Sequence, residues 1–492
     1  MPHVASPSTT ADRSVVRRSR AVPHVWPDAN AARRPRLRLA RHRSTTANVA
    51  SLYPAGVQAP LPCRGPLLGV DITAGGAGLC WDPFEAYSAG LVTNPNVFVL
   101  GEPGFAKSSL IKCLVAWSTA IYGPSRWTTI TDPKGEYTAL AAHLGLSTIR
   151  LEPGGATRIN PLEEAAASPT SVDMIAAGDS EFVVQASVLY SLAATQLGRA
   201  LSPLERKLVR SIVTTVTSRP RPPAGSAVGQ PTLLDVLALL ANPTGEMCNE
   251  TVRGHDQLVR DGEQLRFALD ELHTGPLAGM FDGPSTVTVD WDGPGLHVDL
   301  SAVVGNEAAM PLVMVAVSNW ARQQRHRLVG RQKLNVDDEA YYKYRYPETV
   351  AFAQERRKLG RQYGEANIDI CHRCSDLGAQ ADDGTATAKI AAGLLSDSAT
   401  TIVFRQAAAE LDLAERLLGL TRTERDKVAR LRRGQALWKI ADHSLIARHH
   451  RPVALHDLTD TDKFMRRPSL VTDIEQAADP SFDGGEIDSD PS

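Results

Sequence analysis

The sequence predicts an α/β fold, in which a sheet with parallel strands carries helices, an all-α insertion interrupts the sheet, and both chain ends are disordered. Residues 96–100 form a short apolar, β-branched run typical of a buried strand, and a glycine-bearing loop and a helical pattern follow it. Further strand-like runs alternate with helical patterns, as expected of a parallel sheet. Between about residues 165 and 285 helical periodicity dominates, which indicates the insertion.

The loop after this strand has the composition of a phosphate-binding loop (P-loop). The loop and the start of its helix are Gly101, Glu102, Pro103, Gly104, Phe105, Ala106, Lys107, Ser108 and Ser109. The glycines let backbone N–H groups wrap around phosphate oxygens, and the helix N-terminus adds its positive dipole end. We expect Lys107 to reach the β- and γ-phosphates of ATP and the Ser108 hydroxyl to bind Mg²⁺. Ala106 replaces the second glycine of the motif, and because the helix opens there we expect ordinary helical backbone angles.

Composition places the chain among ordinary globular proteins. It has 492 residues, 43% hydrophobic and 22% charged, enough for one large core with insertions or for two to three domains. The net charge of −2 gives no general argument for nucleic-acid or membrane binding. Six scattered cysteines suggest a reducing compartment, and the lone C-x-x-C of Cys371 and Cys374 lacks the further ligands of a zinc site. Without a long apolar run or a signal peptide, we expect a cytoplasmic protein, peripheral to a membrane only through partners.

The sequence divides into six segments. They are a disordered basic arm at 1–50, a β lead-in at 51–95, the first part of the core at 96–164, the helical insertion at 165–285, the second part of the core at 286–464 and a disordered acidic tail at 465–492. After the P-loop, strands are predicted at 127–131, 147–151, 286–289, 296–300, 367–371, 400–404, 435–440 and 451–455, besides one that begins at Lys333. Helices are predicted at 182–197, 203–216, 232–240, 256–272 and 411–433. The arm could contact nucleic acid or anionic lipid, although a solvated leader is the simpler interpretation.

Charged residues follow the predicted strand at 127–131. Asp132, Lys134 and Glu136 lie at its carboxyl end, where α/β sheets build their sites. Asp132 or Glu136 could position water or Mg²⁺. Equally, the segment could be a plain turn with Glu136 in the first turn of a helix, where negative charge is favoured.

A second group of acids completes the predicted site. The short strand that begins at Lys333 ends in Asp337, Asp338 and Glu339. We expect Asp338 to hold Mg²⁺, directly or through water, and Glu339 to polarise the attacking water. Asp337 would shift the assignment by one residue, but the order Asp338, Glu339, Ala340 fits the strand–Asp–Glu–Ala pattern better. Acids at a strand end are a weak signal alone and gain strength from the P-loop upstream.

Two later strands also end in polar residues. His372 and Arg373 follow the first of them, and Arg405 and Gln406 follow the second. Side chains at these positions would face the γ-phosphate. We expect Gln406 to sense that phosphate and Arg405 to act on the nucleotide of a neighbouring subunit, although an ordinary surface ion pair would also explain Arg405.

The ordered series of motifs resembles the ATPases of conjugation and type IV secretion of the TraC kind, in the FtsK–HerA branch of P-loop proteins. The similar stretches, over about residues 65–460, are LCWDPFEAY at 79–87, Asn94-Pro95-Asn96, Asp132 to Tyr137, Asn160-Pro161-Leu162, Asp338-Glu339-Ala340 and Phe404-Arg405-Gln406. The resemblance implies a RecA-like sheet with a helical insertion, and ATP hydrolysis that powers substrate transfer or machinery assembly. It also implies a homo-oligomer, a ring if Arg405 acts between subunits, docked on channel components.

The chain departs from this group in three places. Ala106 replaces the P-loop glycine, and His372-Arg373 stands where relatives often have a Thr/Ser-Gln pair. Only about 95 residues precede the P-loop, so we expect the docking module that relatives carry there to be either missing or supplied by another protein.

Two alternatives remain open. A DNA translocase or coupling protein of the same superfamily would share these motifs, although coupling proteins usually bring transmembrane helices. The sequence has no base-reading motif, so any DNA contact would go through phosphates. A nucleotide-binding scaffold with little turnover is favoured by Ala106 and opposed by Glu339, whose main use is to activate water.

Overall fold

The computed structural model describes residues 59–163, 181–218, 229–306, 309–344, 360–375 and 397–460, with isolated positions 353, 354, 357, 358, 393 and 395 between them. These residues belong to one compact unit, Val57–Ser492. The predicted basic arm and acidic tail lie outside the described residues.

The described chain forms strands and helices in alternation. The strands are β1 (Leu67–Asp71), β2 (Ala77–Cys80), β3 (Val97–Leu100), β4 (Arg126–Asp132), β5 (Ser147–Arg150), β6 (Gly295–Asp299), β7 (Gln332–Asp337), β8 (Glu365–Cys371), β9 (Thr400–Val403), β10 (Gln435–Ile440) and β11 (His443–His449). The α-helices are α1 (Pro83–Ser88), α2 (Lys107–Tyr122), α3 (Thr138–Leu144), α4 (Glu181–Leu197), α5 (Pro203–Thr217), α6 (Leu233–Ala241), α7 (Gly245–Thr251), α8 (His255–Asp261), α9 (Glu263–Thr274), α10 (Met310–Gln323), α11 (Leu411–Leu418), α12 (Arg422–Arg430) and α13 (His456–Thr459). Short 3-10 turns occur at Gly123–Ser125, Gln324–Leu328, Ala340–Tyr344, Arg361–Tyr363, Ala408–Glu410 and Val453–Leu455. Among the described helices, none combines the length and the apolar character needed to cross a bilayer.

All eleven strands belong to one sheet with the order β2-β1-β11-β10-β9-β3-β8-β7-β4-β6-β5. The seven strands from β9 to β5 are parallel to one another. The remaining four, β10, β11, β1 and β2, pair antiparallel. The mostly parallel sheet with flanking helices confirms the predicted α/β class. Since the carboxyl ends of parallel strands share one edge, the loops after β3, β4, β7, β8 and β9 meet there.

The central strand β3 is apolar at every position because both of its faces are buried. Val97 and Val99 pack into one hydrophobic cluster, with residues of α2 and α3. Phe98 and Leu100, which point to the opposite face, belong to a second cluster with residues of α11 and α12. A parallel strand with both faces covered needs apolar residues at every position, in contrast to the alternating pattern of a half-exposed strand.

The helices α4 to α9 lie between β5 and β6 and share a core with the sheet. Helix residues such as Val188 and Ile212 belong to the same apolar cluster as Trp127 of β4 and Leu296 of β6. The predicted helix at 256–272 is two helices that part at Gly262, and α7 was not predicted. The predicted helix at 411–433 is likewise two, because Gly419 ends α11 in a left-handed conformation.

Two predicted strands are wrong. Residues 286–289 form no strand; Val287 and Val289 pack instead against the apolar cluster that the helices α4 to α9 share with the sheet. Residues 451–455 end in a 3-10 turn, and the last strand along the described chain is β11, which ends at His449. β11 returns from β10 through a hairpin in which Ile440 faces His443.

Candidate active site

The P-loop connects β3 to α2 and is fixed to the ends of both neighbouring strands. The backbone N–H of Gly101 donates to the carbonyl of His372 at 3.2 Å, just after β8, and the N–H of Glu102 donates to the carbonyl of Arg405 at 3.0 Å, just after β9. A Cβ on Gly101 would lie 2.4 Å from Cβ of Phe404, so glycine alone permits this approach. The loop path therefore depends on both strand ends.

Ala106 adopts left-handed backbone angles, φ 77° and ψ 26°, directly before α2 begins. The expectation of ordinary helical angles at this residue is wrong. The chain turns sharply from the loop into the helix, and glycine reaches the required conformation freely, whereas alanine adopts it at a cost of about 1–2 kcal/mol. Ala106 therefore adds strain to the loop.

Lys107 is buried and bound to its own loop. Its Nζ donates to the carbonyl oxygens of Gly101 at 2.6 Å and Glu102 at 3.1 Å, and lies 3.0 Å from Nδ1 of His372. Burial lowers the pKa of Lys107 to about 8, although the charges of Asp338 and Glu339 oppose this effect. The ammonium group is thus surrounded by acceptors at the point where phosphate oxygens would enter.

An open cleft of about 520 Å³ lies beside the P-loop. Pro103, Gly104, Ala106, Ser108 and Ser109 line this cleft together with Lys107. Phe105 packs against the guanidinium of Arg405, whose carbon lies 5.4 Å from the ring centroid.

The two acids after β7 occupy different environments. Asp338 is buried, and its backbone N–H donates to the carbonyl of Thr131 in β4 at 3.1 Å. Glu339 is also buried, has a left-handed φ of 51° and lines the cleft. Asp337, the alternative by one residue, forms an ion pair with Lys343 instead. These contacts favour Asp338 and Glu339 as the functional pair.

The two carboxylate oxygens of Glu339 differ in their contacts. Oε1 contacts two side chains, whereas Oε2 has no hydrogen-bond partner among the described residues. Oε1 lies 2.7 Å from Nε2 of His372 and forms an ion pair with Nζ of Lys134. Oε2 is buried without a hydrogen-bond partner. Burial alone would raise the pKa of Glu339, but the contacts with His372 and Lys134 outweigh burial and hold it below its usual value. Glu339 is therefore an ionised carboxylate with a single open oxygen.

The surroundings of Asp338 suit a divalent cation. Burial, with the charges of Glu339, Glu136 and Asp132, raises the pKa of Asp338 to about 8. A bound cation would stabilise the charged form of such a crowded carboxylate. Ser108 lines the cleft, and Asp338 precedes Glu339, which also lines it. Their hydroxyl and carboxylate oxygens are of the kind that binds Mg²⁺, so both residues are candidate ligands.

Asp132 holds a turn rather than facing the cleft. Its carboxylate accepts the backbone N–H groups of Lys134 at 3.2 Å, Glu136 at 3.1 Å and Tyr137 at 2.8 Å, and contacts His297 at 3.1 Å. These four contacts leave it little capacity for water or metal. Glu136 lines the cleft and precedes α3, which begins at Thr138, so it does not lie in the first helical turn.

The residues after β9 lie on the flank of the P-loop. Arg405 is half-exposed, and its Nε lies 3.8 Å from Oε2 of Glu102. Gln406 is buried, and neither its amide oxygen nor its amide nitrogen has a hydrogen-bond partner among the described residues. The structure thus places Arg405 in an ion pair on its own subunit and gives Gln406 a buried amide with unused bonding capacity.

Sequence reasoning missed two side chains of this site and a group of residues near the C-terminal end of the described chain. Lys134 was given no role, and His372 only a general one, because their neighbours depend on the order of the strands. The cleft is also lined by Arg433, Gly434, His449, His450, Arg451, Thr459 and Asp460. The one available signal for this group was the run of histidine and arginine at 448–451. Burial lowers the pKa of His449 to about 3, and Nε1 of Trp438 donates to its Nε2 at 2.9 Å, so this ring is neutral.

Solved structures share the fold of this chain. VirB4 of Thermoanaerobacter pseudethanolicus matches with a TM-score of 0.64 and 20% sequence identity, over 81% of this chain and 99% of that one. The plasmid coupling protein TrwB, in complex with the non-hydrolysable GTP analogue GDPNP, matches with a TM-score of 0.51 and 15% identity, over 81% of this chain and 97% of that one. TrwB in complex with the ATP analogue ADPNP gives a TM-score of 0.50 and 15% identity, over 80% and 96%. These similarities confirm the predicted P-loop fold.

Neither a protein-family profile nor a curated protein matches the sequence.

Proposed function

We propose that this chain binds Mg²⁺ and ATP in the cleft and hydrolyses ATP to ADP and phosphate, as the motor of a conjugative transfer or type IV secretion system. The observation that carries the proposal is the convergence of Lys107 and Glu339, from the loops after β3 and β7, on the two nitrogens of His372. A P-loop lysine and an ionised, partly unsatisfied glutamate at one sheet edge form the arrangement that water attack on a γ-phosphate requires.

Each residue has a separate role in the proposed reaction. The P-loop N–H groups and Lys107 bind the phosphates, with Lys107 leaving the carbonyls of Gly101 and Glu102 for phosphate oxygens. Mg²⁺, held by Ser108 and Asp338, would supply charge neutralisation on the β- and γ-phosphates. Oε2 of Glu339 accepts a proton from the attacking water. Gln406 is the candidate sensor of the γ-phosphate, because its buried amide has unused donors and acceptors in the described structure.

The motor role rests on the motif series and on the shared fold with VirB4 and with TrwB, a plasmid coupling protein. We propose a homo-oligomeric ring, in which the half-exposed Arg405 reaches the nucleotide of the next subunit. It would dock on channel components at the inner face of the membrane as a peripheral protein.

Two other functions have an observation in their favour. The TrwB fold favours a coupling protein that pumps DNA through phosphate contacts. The strained Ala106 favours a scaffold that binds ATP and turns it over slowly. Stimulation of turnover by duplex DNA, strongest at low salt, would favour the first, and binding without turnover the second.

The test is ATP turnover by the full chain at several protein concentrations, beside Lys107→Ala and Arg405→Ala. We expect specific activity to rise with concentration, to vanish in Lys107→Ala and to fall in Arg405→Ala. A mixture of co-assembled Lys107→Ala and Arg405→Ala subunits should be more active than the mean of the two variants alone, because some sites then combine an intact Lys107 with an intact Arg405 from the neighbour. ATP binding without any turnover in the wild-type chain would overturn the motor.

A further inference from the structure

His372 touches both halves of the candidate site. It follows the last residue of β8, and its carbonyl accepts the N–H of Gly101 at 3.2 Å. Its Nδ1 lies 3.0 Å from Nζ of Lys107, and its Nε2 lies 2.7 Å from Oε1 of Glu339. The ring of Tyr341 lies 6.5 Å away between centroids. His372 therefore bridges the P-loop lysine and the glutamate from a strand end that also supports the P-loop backbone.

The partners of the ring determine its protonation pattern. An ammonium group can only donate, so Nδ1 accepts a hydrogen bond from Lys107. Glu339 is ionised and can only accept, so Nε2 carries a hydrogen and donates it to Oε1. Lys134 lies 3.3 Å from Nε2, and both groups donate to the same carboxylate oxygen. The neutral Nε2–H ring satisfies both of its partners at once.

These contacts orient the carboxylate of Glu339. Lys134 and His372 both occupy Oε1, and the buried Oε2 has no partner among the described residues. Lys134 is a flexible, partly exposed side chain, whereas His372 is a short, rigid ring on a strand end. A carboxylate fixed through one oxygen presents the other in a defined direction, and proton abstraction depends on such direction.

We propose that His372 is a positioning residue that holds Glu339 through Nε2–H so that Oε2 faces the attacking water. This proposal deepens the proposed function and rests on it. In the nucleotide-free chain Nδ1 also accepts from Lys107. When Lys107 moves to phosphate, His372 keeps its bond to Glu339, so the base stays oriented during the reaction.

Two substitutions separate the two ends of the ring. His372→Gln places an amide N–H about as far along the side chain as Nε2, so it can still donate to Glu339. His372→Asn ends at the position of Nδ1 and can still accept from Lys107, but it does not reach Glu339. His143→Asn is the matched control, because His143 is exposed at the end of α3, away from the cleft.

The measurements are kcat for ATP, ATP affinity and the unfolding midpoint of each full-chain variant. We expect kcat of His372→Asn to fall by roughly 10- to 100-fold, with ATP affinity within about twofold of wild type. We expect His372→Gln to recover kcat to within about threefold of wild type, and His143→Asn to match wild type.

The outcomes distinguish the two proposals. Wild-type turnover that survives in His372→Asn, or that is lost equally in His372→Gln and His372→Asn, overturns the positioning role and leaves the proposed function standing. A wild-type chain that binds ATP without turning it over overturns the proposed hydrolysis, and the positioning role with it.

Discussion

The two loops that form the site, after β3 and after β7, share an unusual backbone conformation that has a different consequence in each loop. Each places a non-glycine residue in the left-handed region, Ala106 with φ 77° and Glu339 with φ 51°. Among the described residues only Val252 and Ala441 do the same. At Ala106 the strain accompanies a methyl group, which can neither transfer a proton nor form a hydrogen bond. At Glu339 it directs the carboxylate into the cleft, as strained residues at functional sites often do.

The two loops also mirror each other in charge. Burial lowers the pKa of Lys107 and raises that of Asp338, each to about 8. At pH 7 Lys107 therefore keeps most of its positive charge in the nucleotide-free chain, whereas Asp338 is largely protonated. Phosphate would stabilise the charged form of Lys107, and Mg²⁺ that of Asp338. The difference between the two loops therefore predicts which substitutions affect ATP turnover, which affect ATP binding and which affect only the stability of the fold.

Of the changes that compare the two loops, Glu339→Gly is expected to have the largest effect on turnover. Glu339→Gly relieves the backbone but deletes the carboxylate, so turnover should fall by roughly 10²- to 10⁴-fold. Phosphate release under saturating ATP measures this, and ATP affinity measured alongside should change little. Turnover near the wild-type level would mean that the left-handed conformation at Glu339 serves something other than the reaction.

A smaller effect is expected on binding as a function of pH. Phosphate binds the ammonium form of Lys107, and its pKa of about 8 means that this form is lost as pH rises above 8. Binding must then take up a proton, so the Kd for ATP should rise between pH 8 and pH 9 by up to about tenfold. Lys107→Arg stays charged over this range and should give a much flatter profile. Equally steep profiles for both proteins would place the titrating group elsewhere.

The smallest effect is expected from substituting Ala106, whose side chain carries no reactive group. Ala106→Gly removes the conformational strain and adds some freedom to the unfolded chain, so the free energy of unfolding should rise by about 0.5–1 kcal/mol. Turnover should stay within a few-fold of wild type. The midpoint of denaturant unfolding measures the change, with the β-branched Ala106→Val as a less stable counterpart. A loss of stability in Ala106→Gly would contradict the assigned strain.

The sequence predicted the parts of this molecule that are local. The P-loop is one contiguous segment, and the acids directly follow the strand that ends at Asp337, so both could be predicted without knowing the strand order. The parallel core followed from apolar runs such as β3, whose two faces are both covered. The fold class was therefore predicted correctly from short-range patterns.

The missed features depend on distant parts of the chain. Lys134 reaches Glu339 because β4 lies beside β7, and His372 reaches Lys107 because β8 lies beside β3. That adjacency is not readable from the order of strands along the chain. The conformation of Ala106 also depends on how the loop closes onto α2. β11 was not predicted, because it ends in the polar residues Arg448 and His449. The apolar segment Val453 to Leu455 was wrongly predicted to belong to a strand.

The most direct test of the site is the chemical state of the nucleotide bound by Glu339→Gln. The amide keeps an oxygen that can accept from His372 and Lys134, so binding should persist, but it cannot take a proton from water. After incubation with Mg²⁺ and ATP and rapid removal of free nucleotide, we expect intact ATP on Glu339→Gln and ADP on the wild-type chain. ADP on both proteins would show that Glu339 is not the base, and no nucleotide on either would contradict the nucleotide site itself.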